Sequence, residues 1–413
     1  MVHAALEAYE RRYGLLPVAA AAAIVLDHTP TLDVERVETI ASDGRTLAET
    51  VRSPEQMPPF PASTVDGYAV VAADTAEWRE LLGDVLAGQP SGAAVGPGRA
   101  ARIMTGASLP PGADAVVMFE DTEERDGRVR IKRSVKSGDN LRPPGIDLEV
   151  GQIVLEAGTP VGAAEVGLLA TLGLPTVAVY RRPRVAVLST GDELVEPGQP
   201  LHPGAIRDSN RYALMAAARE AGAEAISMGM ARDDEALQRE RLRAAFDAAD
   251  VVITSGGVSV GSRDLIKPLL EELGTVHFGR IALRPGKPLT FATVGAKLAF
   301  GLPGNPVSAL VTFEVFVRPA LLKMQGRRRI HRARVEVTVE HALARTTDRT
   351  EYQRAVVRWQ DGQLVARSTG SQISSRLISM SGANALLEIL PGEGQVLAGS
   401  RVPALLIGEI DTP

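Results

Sequence analysis

Cysteine is absent from this 413-residue chain. That excludes disulfides, zinc–thiolate centres, iron–sulfur clusters and cysteine nucleophiles together, and it suits a reducing compartment. Aromatic residues are scarce, at 4%, which leaves no stacking platform for single-stranded nucleic acid. Long apolar runs are missing as well. The longest, 18–26, falls far short of the ~20 residues a membrane-spanning helix needs. Glu7, Glu10, Arg11 and Arg12 precede it in a stretch of helical character, which argues against a secretory signal. There is no basic excess either: 45 Lys and Arg stand against 50 Asp and Glu, so no general nucleic-acid footprint exists. The six histidines show no metal-ligand spacing. These absences lead to the expectation of a soluble, cytoplasmic protein that engages neither nucleic acid nor membrane.

What is present reads as a folded, multidomain chain. Hydrophobic residues reach 45%, which excludes disorder as the main state. At roughly 100–200 residues per domain, two to four domains are expected. The first ~50 residues are Ala-rich with Glu and Arg and predict helix. From 51 to 146, Pro/Gly clusters separate short β-branched runs such as 115–118 and 129–131, the pattern of a small β-rich domain. A Leu-rich piece at 166–172 predicts a helix within the Gly- and Val-rich stretch that follows.

From Pro183 the texture alternates. Apolar runs at 184–188, 225–228 and 251–254 are separated by helical stretches at 210–221, 234–248 and 263–273. That spacing predicts βαβ units and a mostly parallel sheet. Runs at 288–292 and 297–302 precede a helix from Pro306 to about Met324, with Asn305 as N-cap and Pro306 at the first helical position. The basic run 327–329 marks a boundary. Short strands at 334–340, 353–359, 363–367, 385–390 and 402–407 then predict a C-terminal all-β domain.

In open α/β sheets, ligands bind outside the carboxyl ends of the strands. Three loops fall there: Ser189-Thr190-Gly191-Asp192-Glu193, the Gly-rich 255–261 segment with Ser255, Gly256, Gly257 and Ser259, and Pro303-Gly304-Asn305-Pro306. Glycines let backbone N–H groups approach a phosphate, and a helix N-terminus favours the anion. Neither a G-x-G-x-x-G nor a P-loop pattern occurs at these turns, which weakens a dehydrogenase or a P-loop enzyme. Each nearby carboxylate has an ordinary reading. Asp233 caps the helix beginning at Asp234, Asp264 complements a helix dipole, and Glu193 is an exposed loop residue. As a set beside a phosphate-binding loop, the three suit Mg²⁺. Arg284 and Lys287 put two cations in one Pro/Gly turn, suited to an oxyanion or simply to solvent. Asp66 lies in an Asp-Gly turn, and Thr105 and Asp147 have plain turn or surface readings. His277, beside Phe278, reads as packed or exposed rather than catalytic.

As an ordered set these loops are more specific than any one of them. The stretches 63–69 (STVDGYA), 102–112 (RIMTGASLPPG), 145–151 (GIDLEVG), 189–194 (STGDEL), 207–211 (RDSNR), 254–261 (TSGGVSVG), 284–288 (RPGKP) and 301–308 (GLPGNPVS) resemble, in order, those of the MoeA-type molybdopterin molybdenumtransferases, the family that includes the E domain of gephyrin. The resemblance implies a multidomain α/β plus β fold. A discontinuous N-terminal domain spans 1–51 and 147–182, and a β-rich domain at 52–146 is inserted into it. A molybdopterin-binding, Rossmann-like three-layer α/β domain spans 183–326, and a β-barrel-like domain spans 327–413.

The resemblance also implies molybdenum insertion in cofactor biosynthesis: adenylylated molybdopterin and molybdate react, with Mg²⁺, and AMP leaves. Asp66, Thr105, Asp147, Glu193, Asp233 and Asp264 are the implied catalytic set, with Glu193, Asp233 and Asp264 as metal ligands. Arg284 and Lys287 are assigned to molybdate or phosphate, and Pro303, Pro306 and Ser308 to shaping and lining the loop. A homodimer is implied, with the site between the α/β domain of one subunit and the β-rich domain of the other. A molybdopterin adenylyltransferase and apo-molybdoenzymes or their chaperones are the implied partners. Two departures stand out: Pro61-Ala62 where an acidic residue is usual, and Ile146 where a Glu is usual. Two other functions stay open, an adenylyltransferase-like enzyme and a non-catalytic dimeric scaffold or carrier.

Overall fold

The computed structural model describes residues 15–89, 93–257 and 265–410. They form two compact units. One takes 49–157 and 164–175, and the other takes the remaining described residues.

The first unit is built on a six-stranded sheet in the order Ala115–Met118, Gly67–Val70, Arg99–Ile103, Arg79–Val85, Arg128–Ile131, Thr122–Arg125. Period-2 alternation feeds two small cores. Ala69, Ala101, Ile103 and Val116 pack on one face, and Tyr68, Val70, Ala100 and Val117 on the other. Gly67 sits against the backbone of Val117, which leaves no room for a Cβ. This places Asp66 and Thr105 at adjoining ends of the paired strands Gly67–Val70 and Arg99–Ile103.

The second unit holds a six-stranded sheet in the order Glu224–Ala231, Arg184–Thr190, Val251–Ser255, Lys297–Leu302, Thr290–Val294, Thr275–Phe278. The first four strands pair in parallel, and the last two join antiparallel. Gly295, at φ 59°, explains the switch, because a two-residue connection permits only an antiparallel hairpin. Strand residues alternate between two cores. Val185, Val187, Ile253 and Phe300 face one side, and Ala186, Leu188, Val252 and Ala299 face the other. The parallel strands therefore read as near-continuous apolar runs.

From residue 15 to about 50 the chain is less helical than its composition predicts. Among the described residues before 50, the α-helix spans Val18–Asp27. Pro30 prevents its continuation, and Val34–Glu38 forms a strand antiparallel to Thr176–Tyr180. β-branched Val34 and Val37 suit the strand, and pairing with Thr176–Tyr180 overrides helix propensity. Residues 1–14 lie outside the described part. The helix expected from Pro306 to Met324 is present but not uniform: Pro306–Thr312 and Arg318–Met324 are α-helical, and Phe313–Val317 widens into a π turn. Pro319 lacks the N–H that would reach the carbonyl of Val315, and its ring presses on that turn.

The C-terminal strands close into a barrel. Thr350–Gln360 pairs with Gln363–Ser368, then come Arg334–Val339, Arg401–Leu406 and Ala385–Ile389, which returns to Thr350–Gln360. The first hairpin turns at Asp361-Gly362, both at positive φ (48° and 78°), the signature of a tight two-residue loop. Buried Asn384 fastens the closure: its amide bonds both backbone groups of Val357, at 2.6 and 2.8 Å, and the carbonyl of Glu409 at 2.8 Å. No described helix is long and apolar enough to cross a membrane.

Candidate functional site

The carboxyl ends of the strands Arg184–Thr190, Val251–Ser255 and Lys297–Leu302 open onto a cleft of about 340 Å³. Parallel strands end on one edge of the sheet, so all three following loops meet there. Ser189, Thr190 and Glu193 come from the first loop, Ser255 and Gly256 from the second, and Gly304, Asn305 and Pro306 from the third.

The glycines are dictated by close approach. Gly256, at φ 92°, lies so near Thr190 that a Cβ would sit 2.6 Å from its carbonyl oxygen. Gly257, at φ 66°, would meet Ile266 at 2.9 Å. Gly191, at φ 145°, carries the Glu193 carboxylate directly over its Cα, where a Cβ would be 2.5 Å from Oε2. Each side chain here would fill the space the loop leaves open.

One wall is a buried ionic network that the sequence reading did not assign. Asp208, 1% exposed, accepts from Ser189 Oγ at 2.9 Å and from Arg211 Nε at 2.8 Å. Arg211 also reaches Ser227 Oγ at 2.7 Å and both oxygens of Glu196 at 2.5 and 2.6 Å. The Arg211 bonds hold the Glu196 carboxyl below its usual range, against some desolvation. Asn210 Nδ2 donates to Ser255 Oγ and to the Gly304 carbonyl, both at 2.7 Å, tying two of the three loops together. The run 207–211 is visible in the sequence as one of the ordered stretches, but no role falls to Asp208 or Arg211 there.

Ser375 also lines the cleft. It arrives on the 371–375 segment, which packs over the helix start, where Val307 N donates to the Ser374 carbonyl at 3.0 Å. Buried Arg354 holds that segment through the Ile373 carbonyl at 3.2 Å and also donates to Ser379 Oγ at 3.1 Å. Burial draws the Arg354 guanidinium down to about 10, against the nearby Glu351 carboxylate.

The chain matches three family models: the MoeA N-terminal region (domains I and II) over 16–173, a probable molybdopterin binding domain over 186–323, and the MoeA C-terminal region (domain IV) over 336–407. A molybdopterin molybdenumtransferase from Nostoc is 39% identical, over 92% of each chain. The chain belongs to the MoeA family. Gephyrin from Dictyostelium discoideum is 38% identical over 97% of this chain, which spans 63% of gephyrin's length. A crystal structure of a MoeA protein from Pyrococcus horikoshii superposes with a TM-score of 0.82 at 35% identity, covering 96% of this chain and 100% of that one.

Against this MoeA background the expected site residues sort into three groups. Ser189, Thr190, Glu193, Ser255, Gly256, Gly304, Asn305 and Pro306 line the cleft, with Gly257 beside Gly256. Asn305 holds the N-cap position without a side-chain capping bond. Gly191 underlies Glu193, and Asp192 Oδ1 accepts from the Asp233 N–H at 3.1 Å on the flank. Asp233 does not cap the helix Glu235–Ala248. Asp234 does, accepting from Leu237 N at 2.8 Å, because its backbone is extended while the next residue is helical.

The second group lies off the cleft lining. Arg284 pairs with buried Glu351 at 3.5 Å, and Lys287 is half-buried. Gly286 packs on Thr312 and on the carbonyl of Ser308, which sets this turn against the first turns of the helix Pro306–Thr312. Pro303 and Ser308 are buried there.

The third group belongs to the β-rich unit. Thr105 donates from its backbone N (2.7 Å) and its hydroxyl (2.8 Å) to Asp66 Oδ1. These two bonds, the backbone one first, hold the exposed Asp66 carboxyl below its ordinary range. Asp147 accepts from Arg142 instead. Ser259 and Asp264 lie outside the described residues. Among the described residues, no three His, Asp or Glu side chains converge as a metal site. Glu193 and Asp233 are hard oxygen donors of the kind Mg²⁺ takes, and Mg²⁺ is commonly held by one or two carboxylates plus substrate phosphates.

His277 is packed. Its ring lies 3.9 Å from that of His28 and 5.3 Å from Phe291, and its Nε2 meets Thr293 Oγ1 at 3.0 Å.

Proposed function

We propose that this protein transfers molybdenum from molybdate to adenylylated molybdopterin, with release of AMP, and that the cleft at the strand ends is where the adenylylated pterin binds. As a MoeA-family molybdopterin molybdenumtransferase, the chain has its role in molybdenum cofactor biosynthesis. The observation that carries the finer reading is one of place. All residues lining the cleft except Ser375 fall within those matched by the probable molybdopterin binding domain, and its loops bring glycine backbone and serine hydroxyls to the strand ends, groups suited to phosphate oxygens.

The chemistry asked of the protein is modest. Cleaving a phosphoanhydride needs positioning and charge stabilisation more than covalent help. The open backbone at Gly256 and the start of the helix Pro306–Thr312 face the anion. Ser255 Oγ and Asn210 are fixed by their mutual bond, so they meet the substrate with little reorganisation. Glu193 and Asp233 are the residues proposed to hold Mg²⁺, with Asp264 added by motif position. When bound, the ion neutralises charge on the phosphate oxygens. Arg284 and Lys287 are proposed to hold molybdate or phosphate, and Asp66 and Thr105 of the partner subunit, with Asp147, to complete the site. The active form is taken to be a homodimer.

The test is AMP release by purified protein from adenylylated molybdopterin and Mg²⁺, with and without molybdate. Molybdate-dependent release that is lost in Glu193→Gln supports the reading. Tight binding with no release under any oxyanion would leave a carrier or scaffold.

A further inference from the structure

We propose that Arg207 is the residue that neutralises and orients the phosphate portion of the ligand in the cleft, and so sets its preference for a phosphorylated pterin. This rests on the reading of the cleft as the pterin site.

The argument is one of charge. Among the described residues lining the cleft, Arg207 is the sole cation. The carboxylates there are Glu193 and Asp208. Asp208 is already satisfied by Arg211 and Ser189, and Arg211 is consumed by Asp208, Glu196 and Ser227. A phosphoanhydride entering this wall meets one free negative group, Glu193, and needs a positive one. Arg207 is exposed and makes no side-chain hydrogen bond or ion pair among the described residues.

Its place is nonetheless fixed. Leu194–Val195 and Ile206–Arg207 form a short parallel pair, with Ile206 N donating to the Glu193 carbonyl at 2.8 Å and Asp208 N to the Val195 carbonyl at 2.9 Å. The buried Asp208 anchors the next residue. The Arg207 backbone is therefore held on both sides while its side chain is left unengaged, an arrangement suited to recognising an anion. A guanidinium donates in a planar fork that matches a phosphate, which a lysine ammonium does not reproduce.

The experiment measures binding and turnover separately. Titration calorimetry with adenylylated molybdopterin compares the wild type with Arg207→Gln, Arg207→Lys and, as a control, Arg219→Gln, an exposed arginine of the helix Asn210–Glu220. Arg207→Gln is expected to weaken binding roughly 10- to 100-fold, as expected for loss of a charge-assisted contact. Arg207→Lys should recover only part of it, and Arg219→Gln none of the loss should appear. The salt dependence of binding should flatten in Arg207→Gln. In turnover, KM should rise with kcat held within about twofold, the pattern of a lost binding contact. Affinity within twofold of wild type in Arg207→Gln, or a kcat loss with unchanged KM, overturns the proposal. A wild type that binds through Arg207 yet releases no AMP would sink the reaction reading and leave this inference standing.

Discussion

At the scale of single residues, the two carboxylates Asp66 and Asp208 make opposite demands. Asp66 is open to solvent and its charge is favoured by two donors from one residue, so Thr105→Ala should raise its pKa only in part, because the backbone bond remains. Carboxyl-carbon NMR titration of Asp66 would check this; an unchanged pKa would show that the hydroxyl contributes nothing. The linkage sign follows: any stability from this charge is present above the unfolded-state pKa and is lost as pH falls through the lower folded one. Asp208 is buried and depends on Arg211. Arg211→Met strands that charge and should cost about 3–5 kcal/mol, readable in chemical denaturation. The sequence made the loops legible because glycine, proline and capping chemistry are local. It did not make this network legible, because Asp208, Ser227 and Glu196 meet through the fold. Nor could it tell Asp233 from Asp234 as the cap, a matter of one residue's backbone angle.

At the scale of elements, the cleft depends on how closely three strand ends approach. Gly256→Ala puts a methyl group 2.6 Å from the Thr190 carbonyl in a positive-φ turn, where the loop must shift. The expected result is a loss of ligand affinity exceeding the loss of stability, measured by calorimetry beside thermal unfolding. Phe300→Ala, in the strand Lys297–Leu302, tests the layer beneath. Phe300 is 1% exposed and stacks on Phe291 with centroids 5.1 Å apart, so about 3–5 kcal/mol should be lost. Alternating texture predicted these strands and helices well, since period and burial agree there. The mostly parallel sheet it predicted is present in the first four strands, and the two-residue hairpin at Gly295 adds the last two antiparallel. Composition also predicted helix at Val34–Glu38, where pairing with residues far along the chain decides the conformation instead.

At the scale of the whole molecule, two compact units imply unfolding that is not two-state. Differential scanning calorimetry should resolve two transitions, and Arg211→Met should lower only the one belonging to the unit that contains the cleft. A single shift of both would show the units to be cooperative. The pairing of Val34–Glu38 with Thr176–Tyr180 has a consequence during synthesis. The strand leaves the ribosome early, and the whole β-rich unit must be translated before its partner exists. At roughly 5–20 residues per second the wait is on the order of ten seconds. For that time the nascent chain carries an unpaired strand with nothing native to bind, and completion of one unit is timed by the making of the other.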